Sequence, residues 1–402
     1  MKYPYLAALL CPASLAVMAA PAVAETHSVS PGADVQEKLQ EALILAEPGD
    51  EIVLEAGTYA LTDGLSLDVD NVTVRGAGAD KTILDFSGQQ GSGEGLLVTS
   101  DNVVLRDFAV QDSRGDGIKS KGADNIVYYQ LRVEWTGGPK ETNGAYGVYP
   151  VESENVLVDS VRVTGASDAG IYVGQSRNII VRNSHVDYNV AGIEIENSFN
   201  ADVHDNLAEK NTGGILVFDL PNLPQQGGHN VRIFDNMLRD NNTPNFAPAG
   251  NIVASVPSGS AIMVMANRDV EIFDNRMEDH GTANVIIVGY QQPYDDANYQ
   301  PLATNIRLAD NSHGKAGYAP GFPGGDVLAG AMGGALPPIV WDGTGTGIAS
   351  ADPVPALTLG LSSPDQPITE AQPSLADLSG ASAEMTVKPV VMPTAMEALV
   401  GQ

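Results

Sequence analysis

The chain from Asn155 to Glu194 reads NVLVDSVRVTGASDAGIYVGQSRNIIVRNSHVDYNVAGIE. Two phrases occur twice in it: the Asn-Val-Leu-Val that begins at Asn155 returns as Asn-Ile-Ile-Val at Asn178, and the Gly-Ile-Tyr at Gly170 returns as Gly-Ile-Glu at Gly192. The phrases alternate apolar with polar side chains and are punctuated by Gly, Asn or Asp, which indicates short β-strands. A unit of this size cannot bury its own apolar face, whereas a stack of such units can.

Further copies of both phrases extend the repeat in each direction. Copies of the asparagine phrase begin at Asn71, Asn102, Asn125 and Asn200, with weaker copies at Asn230, Asp269 and Asn305. Copies of the glycine phrase begin at Gly117, Gly147 and Gly214. The intervals between successive asparagines from Asn71 to Asn200 are 31, 23, 30, 23 and 22 residues, so the long intervals are one coil plus a loop insertion. We expect each asparagine to occupy the same buried turn of its coil and to bond the asparagines above and below.

The repeat predicts an all-β solenoid and resembles the right-handed parallel β-helix of the pectin-lyase-like superfamily. Residues 34–43 place apolar side chains at i, i+4 and i+8 behind a capping Asp34, and a Pro-Gly-Asp turn at Pro48 and a Gly-Thr-Tyr at Gly57 follow. The resemblance implies that this amphipathic helix forms an N-terminal cap, which plugs the first coil and shields its strand edges. The resemblance covers residues 28–312 and is specific for the fold but not for the chemistry.

The composition excludes several classes of function. The chain of 402 residues has 21 basic and 50 acidic side chains, for a net charge of −29. Such a charge argues against nucleic acid as a partner, because phosphate binding needs clustered cations, and against adsorption to an anionic membrane. The one cysteine, Cys11, leaves no disulfide, thiolate metal site or cysteine nucleophile in a mature form that lacks it.

The two ends of the chain differ from the middle. Residues 1–24 resemble an export signal, with Lys2, a short apolar run and a small-x-small cleavage pattern that ends at Ala24. No other stretch is long and apolar enough to span a membrane, so we expect a periplasmic or secreted protein. A β-helix domain is predicted over residues 25–314. The remaining residues, 315–402, are rich in Pro, Gly and Ala and are predicted to be extended or partly disordered.

Stacked coils place equivalent residues in columns on the outer face of each sheet, because coils lie about 4.8 Å apart and strand side chains alternate in direction. In the glycine phrase the apolar residue points inward and the next residue points outward. One outward column therefore reads Lys119, Tyr149, Tyr172, Glu194, Leu216 and Met263. The first four are expected within about 15 Å of one another, with Glu196 about 7 Å from Glu194 on the same face.

Members of the superfamily that this sequence resembles commonly bind substrate in a groove along one outer sheet, walled by loop insertions. The resemblance implies such a groove at this column, between the insertions Trp135–Ala145 and Leu220–Gly228. Trp135 and Tyr146 could stack there on a sugar ring, and Glu196 could contact the substrate. Residues 101–185 hold nine basic and eleven acidic side chains, so a polyuronate would be repelled least in this region.

Eliminating or epimerising a uronate requires three roles: one group screens the carboxylate, a second removes the adjacent proton, and a third donates a proton. Lys119 and Arg114 suit the first role. Tyr149 or Tyr172 suits the other two, if a neighbouring cation lowers its pKa. We therefore predict an exported protein that acts on or binds an acidic polysaccharide, by uronate lyase or C5-epimerase chemistry, with no cofactor required.

The choice among reactions stays open, because signature phrases of known superfamily enzymes are missing. The sequence lacks the Gly-His-Gly of polygalacturonases, the Trp-x-Asp-His of calcium-dependent pectate lyases and the Asp-Pro-His-Asp of mannuronan epimerases. A hydrolase would use a carboxylate pair instead, and Glu194 with Glu196 or Asp168 is the candidate pair. His185 and His204 fall on a different strand and are expected to be ordinary surface side chains.

Two kinds of metal binding are considered. Calcium could bind to acidic clusters such as Asp295–Asp296, or Asp112 with Asp116. The alternative function is a non-catalytic periplasmic β-helix that partners a redox or metal protein.

In that alternative, the outward thioethers of Met263 and Met265 could hold Cu(I). The competing interpretation is that these methionines, with Leu216 and Phe218, form an apolar patch. Residues 239–259 or the C-terminal tail would then cover this patch.

Overall fold

The chain winds repeatedly through three parallel sheets, here called A, B and C. The structure is a computed structural model that describes residues 24–91, 93–379 and 384–400. Except at the two ends of the stack, each coil contributes one strand to each sheet in the order A, B, C, so that a strand pairs with the strand three places further along the chain. The predicted parallel β-helix is thereby confirmed. Most of the predicted export signal, with Cys11, lies in residues 1–23, outside the described residues.

The strands described by the structure are numbered β1 to β34 along the chain. Sheet A has 12 strands: β1 (Thr26–Val29), β2 (Glu51–Leu54), β5 (Thr73–Arg75), β8 (Val104–Arg106), β11 (Ile126–Tyr129), β14 (Glu154–Asp159), β17 (Arg177–Arg182), β20 (Phe199–His204), β23 (His229–Phe234), β26 (Arg268–Phe273), β29 (Thr304–Ala309) and β32 (Ala349–Ser350). Sheet B has 10 strands: β3 (Gly57–Ala60), β6 (Thr82–Asp85), β9 (Ala109–Gln111), β12 (Arg132–Glu134), β15 (Arg162–Thr164), β18 (His185–Asp187), β21 (Leu207–Glu209), β24 (Met237–Arg239), β27 (Arg276–Glu278) and β30 (Ser312–His313).

Sheet C carries the outward column predicted from the glycine phrase. Its 12 strands are β4 (Leu65–Leu67), β7 (Leu96–Val98), β10 (Ile118–Lys121), β13 (Tyr146–Val151), β16 (Ala169–Gly174), β19 (Ala191–Glu196), β22 (Gly213–Phe218), β25 (Ser260–Met265), β28 (Ala283–Val288), β31 (Ile339–Trp341), β33 (Ala356–Thr358) and β34 (Ser374–Ala376). Only the last pair, β33 with β34, is antiparallel among these described strands. The inward residues of the glycine phrase are fully buried, as predicted: Ile118, Val148, Ile171, Ile193, Ile215 and Ile262.

The repeated asparagines form the predicted ladder. The seven from Asn71 to Asn230 have φ between 56° and 60°, a left-handed conformation that asparagine tolerates better than most residues. From Asn125 to Asn230, each side-chain amide reaches the asparagine of the coil before: Asn125 Nδ2 lies 2.9 Å from Asn102 Oδ1, and Asn155 Nδ2 lies 2.8 Å from Asn125 Oδ1. The turn itself is exposed to half-buried rather than buried, which corrects that part of the prediction.

Helices are few. The structure places α1 at Val35–Leu45, α2 at Gly325–Ala331 and α3 at Thr394–Glu397, with 3₁₀ turns at Ile252–Ser255 and Ile368–Glu370. Helix α1 buries its apolar stripe, Val35, Leu39 and Leu43. That it acts as a plug for the first coil stays a prediction. Within the described residues, no helix has the length and apolar character needed to cross a membrane.

The last part of the chain continues the stack beyond residue 314. Strands β31 and β33 extend sheet C, and β32 extends sheet A. Residues 384–400, here called the C-terminal strap, then run back across the outer face of sheet A. Met392 and Met396 pack there on outward apolar residues of that sheet: Val104, Val127, Tyr129, Leu157 and Ile180.

Polar contacts fix the strap at several coils. The backbone N–H groups of Thr386 and Val387 donate to Glu271 Oε1, and that of Val390 donates to Asp202 Oδ2. Glu397 pairs with Arg182, at 2.7 Å. Arg106 Nη1 lies 3.1 Å from the carbonyl oxygen of Leu399. The strap therefore spans sheet A from β26 back to β8.

Ending the chain at Ser379 is expected to expose this apolar surface. Loss of the buried Met392 and Met396 alone should lower the free energy of unfolding by about 3 to 6 kcal/mol, at roughly 1.5 to 3 kcal/mol for each buried apolar side chain. Urea denaturation measures this change. The double variant Met392→Leu, Met396→Leu keeps apolar volume and is the control. A truncated protein as stable as the full chain would show that the strap does not stabilise the fold.

Candidate functional site

The structure places the predicted column residues side by side on sheet C. In the strand register Lys119 pairs with Tyr149, and Tyr172 pairs with Glu194. Val148 pairs with Ile171, which puts Tyr149 beside Tyr172. The predicted order of the column is therefore confirmed, whereas the roles assigned to these residues stay predictions.

Three tyrosine rings pack together in the middle of this face. The ring centroid of Tyr146 lies 4.5 Å from the ring centroid of Tyr149 and 4.5 Å from that of Tyr172. The centroids of Tyr149 and Tyr172 are 5.0 Å apart. Tyr146 and Tyr149 are half-buried, whereas Tyr172 is buried. Lys119 Nζ lies 4.8 Å from the centre of the Tyr149 ring, so the outer part of the cluster combines aromatic surface with one cation.

Carboxylates surround the cation. Lys119 Nζ lies 3.1 Å from Glu94 Oε1 and 3.9 Å from Asp116 Oδ2. Burial raises the pKa of Asp116 to about 6, although Lys119 acts in the opposite direction. The charge of Lys119 is therefore largely offset within the site.

Three further carboxyl groups lie beneath the tyrosines. Glu194 is 1% exposed, and neither of its carboxylate oxygens has a hydrogen-bond partner. Glu196 Oε1 accepts a hydrogen bond from the Tyr172 hydroxyl at 2.7 Å, and Asp168 Oδ2 accepts one from Asn251 at 3.1 Å. These three residues, called the carboxyl cluster below, are all buried on the outer side of sheet C.

Burial sets the ionisation of the carboxyl cluster. It raises the pKa of Asp168 and that of Glu196 to about 7. The pKa of Glu194 is also raised, by burial first and then by the charges of Asp168 and Glu196. At neutral pH the cluster therefore shares protons, and its members can both donate and accept them.

The tyrosines do not have the lowered pKa that the sequence analysis assigned to them. Burial, followed by the charge of nearby carboxylates, raises the pKa of Tyr149 to about 12 and also raises the pKa of Tyr172. A neutral phenol donates hydrogen bonds and is a poor acceptor of a carbon-bound proton.

A glycine allows Tyr172 to reach the cluster. A Cβ atom at Gly174 would lie 2.4 to 2.7 Å from the Tyr172 ring and hydroxyl, so the ring folds along its own strand over that glycine. Gly174 pairs in register with Glu196, and the Tyr172 hydroxyl thus arrives at the carboxylate of the next coil. Any side chain at residue 174 would displace the ring.

Loop 239–259 and the C-terminal part of the chain cover the upper half of the column, as predicted. Met263 and Met265 are 6% and 5% exposed, in a cluster that includes Val253 and Val256 of the loop. A cavity of about 190 Å³ remains beside these methionines. The thioethers are therefore part of a covered apolar cluster, and copper binding there stays a prediction.

The remaining predicted residues lie apart from the cluster. Trp135 is 5% exposed, packs in the core and donates its indole N–H to Ser113 O at 2.7 Å, so its ring is not presented to a sugar and that prediction is corrected. Arg114 is exposed and contacts the carbonyl of Gln90. Asn251 was not predicted as a site residue. It lies in an insertion outside the repeat, and no sequence pattern there marks it as part of the site.

The predicted calcium clusters have other partners. Asp112 accepts hydrogen bonds from the backbone and hydroxyl of Thr136, at 2.8 and 2.6 Å. Asp296 accepts from Gln226 and from the backbone of Asn298. Calcium binding at either cluster stays a prediction.

Comparison with known proteins agrees with the fold. A family model described as a right handed beta helix region matches residues 62–224. No curated protein matches the sequence significantly.

Similar solved structures include three polysaccharide-acting enzymes. A mannuronan C-5 epimerase A-module of Azotobacter vinelandii is 16% identical, over 83% of this chain and 98% of that chain, with a TM-score of 0.48. An alginate lyase of a Paenibacillus species is 17% identical, over 71% and 86%, with a TM-score of 0.40. A family 28 exopolygalacturonase of Yersinia enterocolitica is 12% identical, over 81% and 69%, with a TM-score of 0.45. These likenesses concern the course of the chain and not its chemistry.

Proposed function

We propose that the protein binds and processes an acidic polysaccharide on the outer face of sheet C, at the tyrosine rings and the carboxyl cluster. The observation that carries the proposal is Glu194, whose two buried oxygens have no hydrogen-bond partner. A buried carboxylate without a partner is costly, and such groups are concentrated at functional sites. The exposed edges of Tyr146 and Tyr149 supply aromatic surface for a sugar beside it.

A divalent cation explains how an acidic site could take an acidic polymer. Glu94 and Asp116 flank Lys119, and the carboxyl cluster lies behind them, so a uronate alone would be repelled. Calcium prefers oxygen ligands. Because Glu194, Glu196 and Asp168 do not all bring their oxygens within 4.8 Å of one another, the ion would be held by Glu194 with either Glu196 or Asp168 and by oxygens of the polymer. When bound, the ion would draw charge from the uronate carboxylate and so make the adjacent C–H more acidic.

The side chains of the site would then have separate roles in binding, proton transfer and positioning. Lys119 and the ring of Tyr149 orient the sugar at the open end of the column. Whichever of Asp168 and Glu196 does not hold the ion accepts or returns the proton, since burial raises the pKa of each to about 7. Tyr172 donates its hydroxyl hydrogen bond to Glu196 and so holds that carboxylate in place.

Glycoside hydrolysis is the second candidate, because the same cluster offers two carboxyl groups with raised pKa. The products distinguish the reactions. Elimination creates a C=C bond that absorbs in the ultraviolet, epimerisation exchanges the C5 proton with solvent, and hydrolysis creates a reducing end without either signal.

Lys119→Ala is expected to weaken binding of an oligouronate about tenfold, the order expected from loss of one charge-assisted contact. Isothermal titration in the presence of Ca²⁺ measures the affinity. Lys121→Ala is the matched control, since Lys121 lies two residues away on β10 with its side chain 56% exposed and pairs with Glu152. Equal affinity of the two variants for the oligouronate would show that the polymer does not bind at the Lys119 end of the column.

A further inference from the structure

A second cluster of metal-ligating atoms lies on the outer face of sheet B, away from the tyrosines. His185 Nε2 lies 3.1 Å from Glu209 Oε1 and 3.8 Å from Asp187 Oδ2. The ligand atoms of the three residues all lie within 4.8 Å of one another, and no other set of three His, Cys, Asp or Glu side chains in the described residues converges in this way. From the sequence, His185 was expected to be an ordinary surface side chain.

Two adjacent strands hold the three side chains rigidly. Asp187 of β18 pairs in register with Glu209 of β21, and His185 points from the same face of β18 two residues earlier. Both carboxylates are buried, whereas the side chain of His185 is 31% exposed. The cluster is therefore preformed by the sheet and open to solvent on the histidine side.

A second layer of side chains orients the carboxylates. Thr164 donates its hydroxyl hydrogen bond to Asp187, whose other oxygen lies 3.2 Å from Arg162 Nη2. Arg239 Nε donates to Glu209 Oε2 at 2.7 Å, which leaves Oε1 facing His185. Supporting bonds of this kind surround ligands in metal sites.

The two arginines do not block the site. Their side chains are 52% and 50% exposed, and exposed ion pairs are typically worth less than about 1 kcal/mol. An arriving ion can displace them at little cost, while the threonine bond to Asp187 persists.

We propose that His185, Asp187 and Glu209 bind a divalent transition-metal ion of the zinc class. One imidazole nitrogen and two carboxylate oxygens form a ligand set that Zn²⁺ accepts, with a fourth position left to water or another ligand on the exposed side. The nitrogen ligand separates this site from the all-oxygen carboxyl cluster on sheet C, which favours a hard ion such as Ca²⁺. The inference does not depend on the function proposed for sheet C.

Titration of chelator-treated full-length protein, without a polyhistidine tag, with Zn²⁺ is expected to show one site that His185→Gln weakens at least tenfold, since loss of even a supporting residue typically costs about 10- to 100-fold. Glu209→Gln should act in the same direction. His204→Gln is the matched control, because His204 also points outward but meets only one carboxylate, Asp205, at 2.7 Å. It should leave the affinity unchanged.

A spectroscopic readout separates binding at this site from binding elsewhere. Co²⁺ is expected to give visible absorption bands that are lost in His185→Gln and retained in His204→Gln, with circular dichroism confirming that both variants fold. Unchanged Zn²⁺ affinity in His185→Gln, or no binding of Zn²⁺ in the micromolar range, would overturn the proposal.

Discussion

Glu194→Leu is expected to stabilise the protein and to abolish binding of calcium and of oligouronate. The carboxylate of Glu194 is buried without any hydrogen-bond partner, so its removal relieves a desolvation cost. Replacement of a buried polar group that has no hydrogen-bond partner by an apolar side chain should raise the free energy of unfolding by about 2 kcal/mol. Chemical denaturation and calcium titration measure the two effects on the same sample.

Glu196→Leu is the comparison for this variant. Glu196 is equally buried, but it accepts the hydrogen bond of Tyr172, and its loss would leave that hydroxyl unpaired. The Glu196→Leu variant should therefore lose binding of calcium and of oligouronate without a rise in the free energy of unfolding. A Glu194→Leu protein that is less stable than the parent, or that still binds calcium, would show that this carboxylate is structural.

Raising the pH from about 5 to about 8 is expected to destabilise the protein without calcium. Asp168 and Glu196 have a pKa of about 7 in the folded chain, well above the ordinary range near 4. Between about pH 4 and pH 7 the folded chain thus binds more protons than the unfolded chain, and the free energy of unfolding falls as the pH rises. Because one pKa unit corresponds to about 1.4 kcal/mol, the fall should reach several kcal/mol.

Calcium and protons should compete for the carboxyl cluster. Added Ca²⁺ is expected to raise the melting temperature more at pH 8, where the carboxyls are ionised, than at pH 5. The double variant Asp168→Asn, Glu196→Gln should reduce the pH dependence, leaving the part due to Glu194 and Asp116, and should remove the calcium effect. Asp50, with a pKa lowered to about 2, acts in the opposite direction but only below about pH 4. A calcium shift of equal size at both pH values would contradict a site built from these carboxyls.

The repeat made the fold and the column of outward residues predictable. The spacing of the asparagine and glycine phrases predicted the strand register, in which Lys119 pairs with Tyr149 and Tyr172 pairs with Glu194. A second asparagine ladder was missed: Asn206 Nδ2 lies 3.0 Å from Asn236 Oδ1, and Asn236 Nδ2 lies 2.9 Å from Asn275 Oδ1. These residues are buried and outside the quoted phrases, so the alternation of the strands did not reveal them.

The environment of the column could not be read from the repeat. From the sequence, Tyr149 and Tyr172 were expected to have a pKa lowered by a neighbouring cation. Instead, Glu94 and Asp116 offset the charge of Lys119, and burial raises the pKa of Tyr149. The carboxylates come from earlier coils and from turns. Their effect depends on distance and solvent access, which a single strand phrase does not encode.

Strand period and turn residues act locally, and each coil repeats the same short-range preferences, so the sequence alone specifies a parallel stack and the order of its outer columns. The ionisation of those columns depends instead on which segments cover them. Loop 239–259 brings Asn251 to Asp168, and the C-terminal part of the chain closes over Met263. These long-range contacts exclude water from Glu194 and its neighbours, and exclusion of water is what turns ordinary carboxylates into groups that exchange protons near neutral pH.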